Sequence, residues 1–397
     1  MKKSIWFAVP TALLLMGAAP RSDANWAAGW ISSPFAPTVV APGMTPPVFS
    51  NQTTRQIIRI DTEGSALKLR LTNEFGIVPI RLAAVHVALI GASGTIQPGS
   101  DQAVTFSGEG DAWIPTGSPL LSDPVTMDIK PLQRVAISIF YKDASMPSGH
   151  HADLMVAPGN QVASGELYRA ETQRGPGLVS EIDVQRSHHA PVIVAFGDSI
   201  TEGAASTPGA DMSWPQQLAK RLSTDPSRRG WTVVNAGLSG NRLLHEGFGV
   251  PALGRFDRDV LSVAGITHVV LLEGINDIGW WNKPNSDVSA EQIIEAYRQI
   301  VTRAHARGVQ VIGATILPYR GAVYYTPEGE MMRMKVNAFI RSGHLFDGVI
   351  DFEKAMADTA DPTRINPNFE PGDHLHPNDR GYSAMAAVVA PILFEQR

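Results

Sequence analysis

The sequence predicts two folded parts in series. The first is an all-β, sandwich or jelly-roll-like part over residues 25–186; the second is an α/β part over 187–397, built on a parallel sheet. Three observations carry this. Residues 56–60, 67–71 and 125–129 alternate apolar and polar with the period of two that a half-buried strand requires. Beyond about Arg186 the apolar runs become continuous and alternate with helix-like stretches, the pattern of strands covered on both faces. The length of 397 residues suits two domains at roughly 100–200 residues each.

In chain order, Met1-Lys2-Lys3 is a basic start and residues 5–16 are an apolar run interrupted only by Pro10 and Thr11. Ser22-Asp23-Ala24 offers small residues at the −3 and −1 positions of a signal-peptidase cut. The run is short of the roughly 20 residues a membrane-spanning helix needs. Residues 1–24 are therefore expected to be a cleaved secretory signal, with Ala18-Ala19 as the alternative cut, and the protein to be secreted or periplasmic. Further strands are expected at 81–90 and at 134–141, the latter with Val135, Ile137 and Ile139 on one face. Gly, Pro, Asn and Asp separate these strands at short intervals, and no helical pattern interrupts them. His150, His151 and Asp153 read as a surface-loop cluster. The connection over 185–191 has no Gly/Ser run, so the β half is expected to pack against the second half and shape the acceptor side of its cleft.

The second half reads as strands at 192–196, 231–235, 268–272, 309–316 and 348–351. Helices are expected at 214–222, 291–306, 330–341 and 381–394, the last kinked or ended near Pro391. In the 291–306 helix Ile293, Ile294, Tyr297 and Ile300 share one face. Ligands of such sheets bind at the carboxyl ends of the strands, and that is where the unusual residues fall.

Composition removes several function classes. The chain has no Cys, which excludes disulfides, thiolate metal sites, iron–sulfur clusters and thiol nucleophiles; in an exported protein it also suggests a bacterial source. The formal charge of −5, from 33 basic and 38 acidic residues, is no footprint for nucleic acid. No second long apolar run calls for stable membrane insertion, and no protein partner is implied.

The first apolar strand of the second half runs into Gly197-Asp198-Ser199-Ile200-Thr201. Ser199 thus stands at the sheet edge beside a helix start, where backbone N–H groups favour negative charge. Taken alone it reads more simply as a helix cap. Nor is the segment a Gly-x-Ser-x-Gly elbow, because Thr201 takes the last position. The next strands lead into Asn235-Ala236-Gly237-Leu238-Ser239-Gly240-Asn241-Arg242 and Glu273-Gly274-Ile275-Asn276-Asp277. The last strand region is followed by Gly372-Asp373-His374-Leu375-His376-Pro377-Asn378. Together they hold what acyl transfer requires: a serine, a base to take its proton, a carboxylate to hold that base, and donors for an oxyanion.

These segments, in this order, resemble the conserved blocks of the SGNH hydrolase superfamily, the GDSL esterases and lipases. The resemblance covers the chain from Val192 onward, with Ile275 in place of a commoner small residue. It implies a three-layer, flavodoxin-like α/β domain. It also implies Ser199 as nucleophile, Asp373 and His376 as the remaining catalytic pair, and an oxyanion hole of Ser199 N–H, Gly240 N–H and the Asn276 amide. Asp198 is expected to be structural, holding the serine turn. A metal held by His374, His376 and Asp373 is the competing reading, disfavoured because first-row sites need further ligands; no metal or cofactor is expected. Trp280, Trp281 and Tyr319, with Tyr324 and Tyr325, are placed either to form a substrate platform or to pack.

The expected activity is that of an exported, metal-independent serine esterase acting on an ester substrate. Family architecture points to deacetylation of plant-type polysaccharide or oligosaccharide. Lipid or aryl-ester hydrolysis, acyl transfer to a sugar hydroxyl, and non-catalytic carbohydrate binding are the alternatives.

Overall fold

The computed structural model describes residues 25–36, 47–280, 287–342, 344–390 and 394, so the expected signal segment, Trp281 and Pro391 lie outside the described residues. The first half is a sandwich of two antiparallel sheets. One runs in the order Asn25–Ile31, Val179–Arg186, Gly64–Asn73, Ser118–Leu121, with Val125–Ile129 also on Gly64–Asn73. The other runs Glu171–Gly177, His150–Pro158, Gln52–Arg59, Arg134–Tyr141, Ala84–Leu89, Gln102–Ala103. Their inward rows, among them Leu67, Leu69 and Leu71 facing Val135, Ile137 and Ile139, form one core, as the alternation demands.

Two expectations change here. The run 81–90 is two strands: Ile80–Leu82 pairs with Ala112–Ile114, whereas Ala84–Leu89 belongs to the six-stranded sheet. The side chains that enter the sandwich core are at even positions in the first (Ile80, Leu82) and odd in the second (Val85, Val87), so the side-chain phase slips by one between them and the chain must change partners. Nor are His150 and its neighbours on a loop. They sit on the strand His150–Pro158, with His150 buried and His151 exposed.

The second half has a five-stranded parallel sheet in the spatial order Thr232–Gly237, Val192–Gly197, His268–Leu272, Gln310–Ala314, Gly348–Ile350, or 2-1-3-4-5 in chain order. This is the flavodoxin-like arrangement. Val192–Gly197 and His268–Leu272 are buried throughout, because helices cover both faces. Trp214–Ser223 packs with Asp379–Val388, and Ala290–His305 with Pro327–Arg341. Capping decides several boundaries: Ser289 and Gln292 form a capping box, and Thr326 with Pro327 starts its helix ahead of the expected 330. Asn378 caps the last helix by accepting from Arg380 and Gly381 N–H.

The halves share the strand Asn25–Ile31. It pairs with Val179–Arg186 in the sandwich, yet Ala27, Ala28 and Ile31 sit in the core of the parallel-sheet half. Ala28 N–H donates to Ala264 O at 2.9 Å, Arg59 Nη2 to Gln216 O at 3.0 Å and Arg186 Nη1 to Gly230 O at 2.8 Å. A cavity of about 640 Å³ remains at this junction, lined by Trp30, His150, Asp153, Arg174, Asp211 and Asn235 among others.

Candidate active site

The strand Val192–Gly197 delivers Ser199 to the sheet edge, and Asp198 turns the chain there by accepting the Ile200 N–H at 2.9 Å. The structural expectation for Asp198 matches this bond. Ser199 Oγ lies 2.9 Å from His376 Nε2, and His376 Nδ1 lies 2.6 Å from Asp373 Oδ2. Asp373 Oδ1 accepts the N–H groups of Leu375 and His376, each at 3.0 Å. Partial burial pushes the Asp373 carboxyl up, but the imidazole and the two backbone donors outweigh it and hold it below the usual carboxylate range. An ionised Asp373 selects the tautomer with Nδ1–H donated to it, which leaves the Nε2 lone pair for the serine proton.

The first strand lies between the second and third, so Ser199 is flanked by the loops that carry Gly240 and Asn276. Gly240 has φ +72°, and a Cβ there would lie 2.4 Å from the Phe248 ring, so the turn admits only glycine. Asn276 Nδ2 spends one hydrogen on Asn241 O at 2.8 Å, which orients the amide and keeps a second hydrogen to offer. Tyr324 Oη donates to its Oδ1 at 3.4 Å. Asp277 ties the two loops together, accepting Leu243 N–H at 2.6 Å and Leu244 N–H at 3.0 Å.

With this geometry in hand, residues 195–384 match the model of the GDSL-like Lipase/Acylhydrolase family. The parallel-sheet half is a GDSL-like lipase/acylhydrolase domain. That family's chemistry is hydrolysis of carboxylic esters. Solved structures to which the chain is similar include a lipolytic protein of the G-D-S-L family from Desulfitobacterium hafniense, 24% identical with a TM-score of 0.39 over 50% of this chain and 96% of that one. A GDSL-like lipase from Bacteroides thetaiotaomicron is 18% identical with a TM-score of 0.38, over 51% and 87%. An acetyl xylan esterase from Geobacillus stearothermophilus is 20% identical with a TM-score of 0.41, over 53% and 97%. No curated protein sequence matches the chain.

Behind the serine, the acylhydrolase domain buries a set of charges that sequence reading missed. The fully buried Arg255 donates to Gly197 O at 2.8 Å, Ala236 O at 2.9 Å and Asn241 Oδ1 at 2.7 Å, and reaches Asp259 and Glu273 at 3.1 and 3.5 Å. One guanidinium thereby fixes the ends of the first two strands and the residue after Gly240. Burial pushes Asp198 up to about 7, helped by Asp277 and opposed by the Ile200 N–H and Arg255; burial also raises Glu273 and Asp277. In the sequence Arg255 is one of four charged residues, with Asp257, Arg258 and Asp259, and only its i, i+4 spacing to Asp259 hints at the buried pair.

His374 takes φ +60°, and its Nδ1 lies 3.1 Å from Glu370 Oε1, so its polar partner is Glu370 rather than the serine. Among the described residues no group of three or more His, Asp or Glu side chains is arranged to hold a metal ion. Tyr319 departs from the platform reading: it is fully buried between Tyr324 and Tyr325, and Tyr324 is the aromatic that reaches Asn276. Trp280 is half-buried, 6.4 Å from the Phe248 ring, with the Arg242 guanidinium 5.9 Å from its centroid.

Proposed function

We propose that the protein is a serine ester hydrolase in which His376 takes the Ser199 proton as Oγ attacks the ester carbonyl carbon. The carbonyl oxygen becomes an oxyanion accepting hydrogen bonds from Ser199 N–H, Gly240 N–H and Asn276 Nδ2. Collapse breaks the ester C–O bond, and His376 returns the proton to the departing alkoxide. Water, deprotonated by the same imidazole, then cleaves the acyl-serine and restores Ser199. Asp373 stays ionised and steadies the imidazolium. The observation that carries this is the unbroken relay from Ser199 Oγ through His376 to Asp373, at 2.9 and 2.6 Å.

The substrate in this reading is an acetylated polysaccharide or oligosaccharide, met outside the cytoplasm after removal of residues 1–24. The leaving alcohol departs on the histidine side, where the Asp373 and His376 side chains are 43% and 21% exposed. That opening supports a bulky, hydrated alcohol. Purified protein offered p-nitrophenyl esters, acetylated xylan and lysophospholipid should release acetate from xylan. Ser199→Ala should lower turnover by about 10⁴–10⁶ in a folded protein. A fluorophosphonate should label Ser199 and no other residue. Retained activity in Ser199→Ala removes the mechanism; preference for lysophospholipid replaces the glycan by a lipid. N-terminal sequencing of exported protein tests the cut after Ala24.

A further inference from the structure

We infer that the β-sandwich completes the acyl pocket of this esterase, with His151 and Phe35 setting the length of acyl group accepted. This rests on the hydrolase reading above and deepens it. Beside Gly240 lies an apolar pocket of about 180 Å³, walled by Phe35, His151, Glu202, Leu238, Ser239 and Phe248. Four of these come from the acylhydrolase domain; His151 comes from the sandwich and Phe35 from the segment that follows the shared first strand. The two outside contributors hold each other, with ring centroids 4.6 Å apart and edge-on, and Phe35 N–H donates to Gly149 O at 3.2 Å. Glu202 ends the short helix that Ser199 begins, and its Oε2 accepts the Ser239 N–H at 2.6 Å. The pocket therefore adjoins the glycine of the oxyanion loop, and Glu202 on its wall stands at the far end of the one-turn helix that Ser199 begins.

Its size sets a limit. A cavity of roughly 150 Å³ lined by apolar side chains admits benzene, so this one has room for an acyl group of about six carbons. Past His151, Glu202 and Ser239 lies the junction cavity, with Asp153, Arg174 and Asp211 on its walls. A longer chain would run from apolar lining into charged surface and lose the roughly fourfold gain that each buried methylene brings.

The test uses the full-length protein with p-nitrophenyl acetate, butanoate, hexanoate and decanoate. For wild type, kcat/KM should hold or rise from acetyl to hexanoyl and fall at least tenfold at decanoyl. His151→Trp, at an exposed strand position, should lower the hexanoyl-to-acetyl ratio at least tenfold by filling the pocket. His151→Ala should raise the decanoyl-to-hexanoyl ratio at least fivefold by opening its wall. Ratios within twofold of wild type in both variants, with melting and Ser199 labelling intact, overturn the pocket's role and leave the hydrolase reading standing. Absence of hydrolysis together with absence of Ser199 labelling in wild type overturns both.

Discussion

At the scale of single residues, two histidines two positions apart divide the work through their backbones. His374 is held in a left-handed conformation with its ring on Glu370, and this lets His376 turn towards Ser199. His376→Ala should therefore approach the loss expected of Ser199→Ala, while His374→Ala should be far milder. Steady-state kinetics on an acetyl ester, repeated after dialysis against EDTA, checks both points. Turnover should survive the chelator, and a loss restored by zinc would make the histidines ligands instead. The Ser199, Asp373 and His376 positions were readable because each motif sits just past an apolar strand or ahead of a capped helix. Which of the two histidines meets the serine was readable only through the family resemblance, because i and i+2 positions on an extended segment are equivalent by spacing alone.

At the scale of elements, the loop that carries Gly240 is held from behind. Asp277 uses each carboxylate oxygen on a separate backbone N–H of the 238–244 segment. In Asp277→Asn one of those donors faces an amide NH₂, leaving a buried N–H unpaired at a cost of about 1–3 kcal/mol. The expected outcome is a lower melting temperature and a fall in kcat larger than any change in KM, because in the proposed mechanism this loop donates to the transition state. Unfolding curves and full kinetics on the purified variant decide it. The strands His268–Leu272 and Arg134–Tyr141 match their expected limits, because continuous or strictly alternating apolar runs leave little freedom. The 81–90 run was misjudged as one strand because composition says nothing of which partner an edge will find.

At the scale of the whole molecule, the halves are bound by more than a linker. Ala27, Ala28 and Ile31 complete the acylhydrolase core, and Glu181 of the sandwich accepts the Ala264 N–H at 2.9 Å. A fragment starting at Ser187 lacks all of these, so it should give little soluble protein and unfold well below the full chain by calorimetry. A stable, fully active fragment would make the sandwich dispensable. The same junction makes stability depend on pH. Burial, with Asp183 beside it, pushes Glu181 up to about 8. The unfolded chain ionises this group in the ordinary carboxylate range, so between that range and about pH 8 the native state binds the extra proton. Stability should fall as pH rises through this window, lowering the melting temperature by a few degrees from pH 5 to 8. Glu181→Gln keeps an acceptor for Ala264 and should flatten that slope.

The sequence by itself determined the order of the two architectures, most of their strands and helices, and the segments that bring Ser199, His376 and Asp373 into one hydrogen-bonded row. Those features are local: periodicity, capping residues and motif spacing are written within a few residues of one another. Tertiary structure alone decided the rest. The strand order 2-1-3-4-5 sets Ser199 between the loops of Gly240 and Asn276. Arg255 joins residues more than fifty positions apart, and the first described strand serves two cores at once. Phe35 and His151 meet beside Gly240 although they are separated by most of the sandwich. Contacts of that range depend on which surfaces the packed halves bury together, a quantity no window of sequence contains.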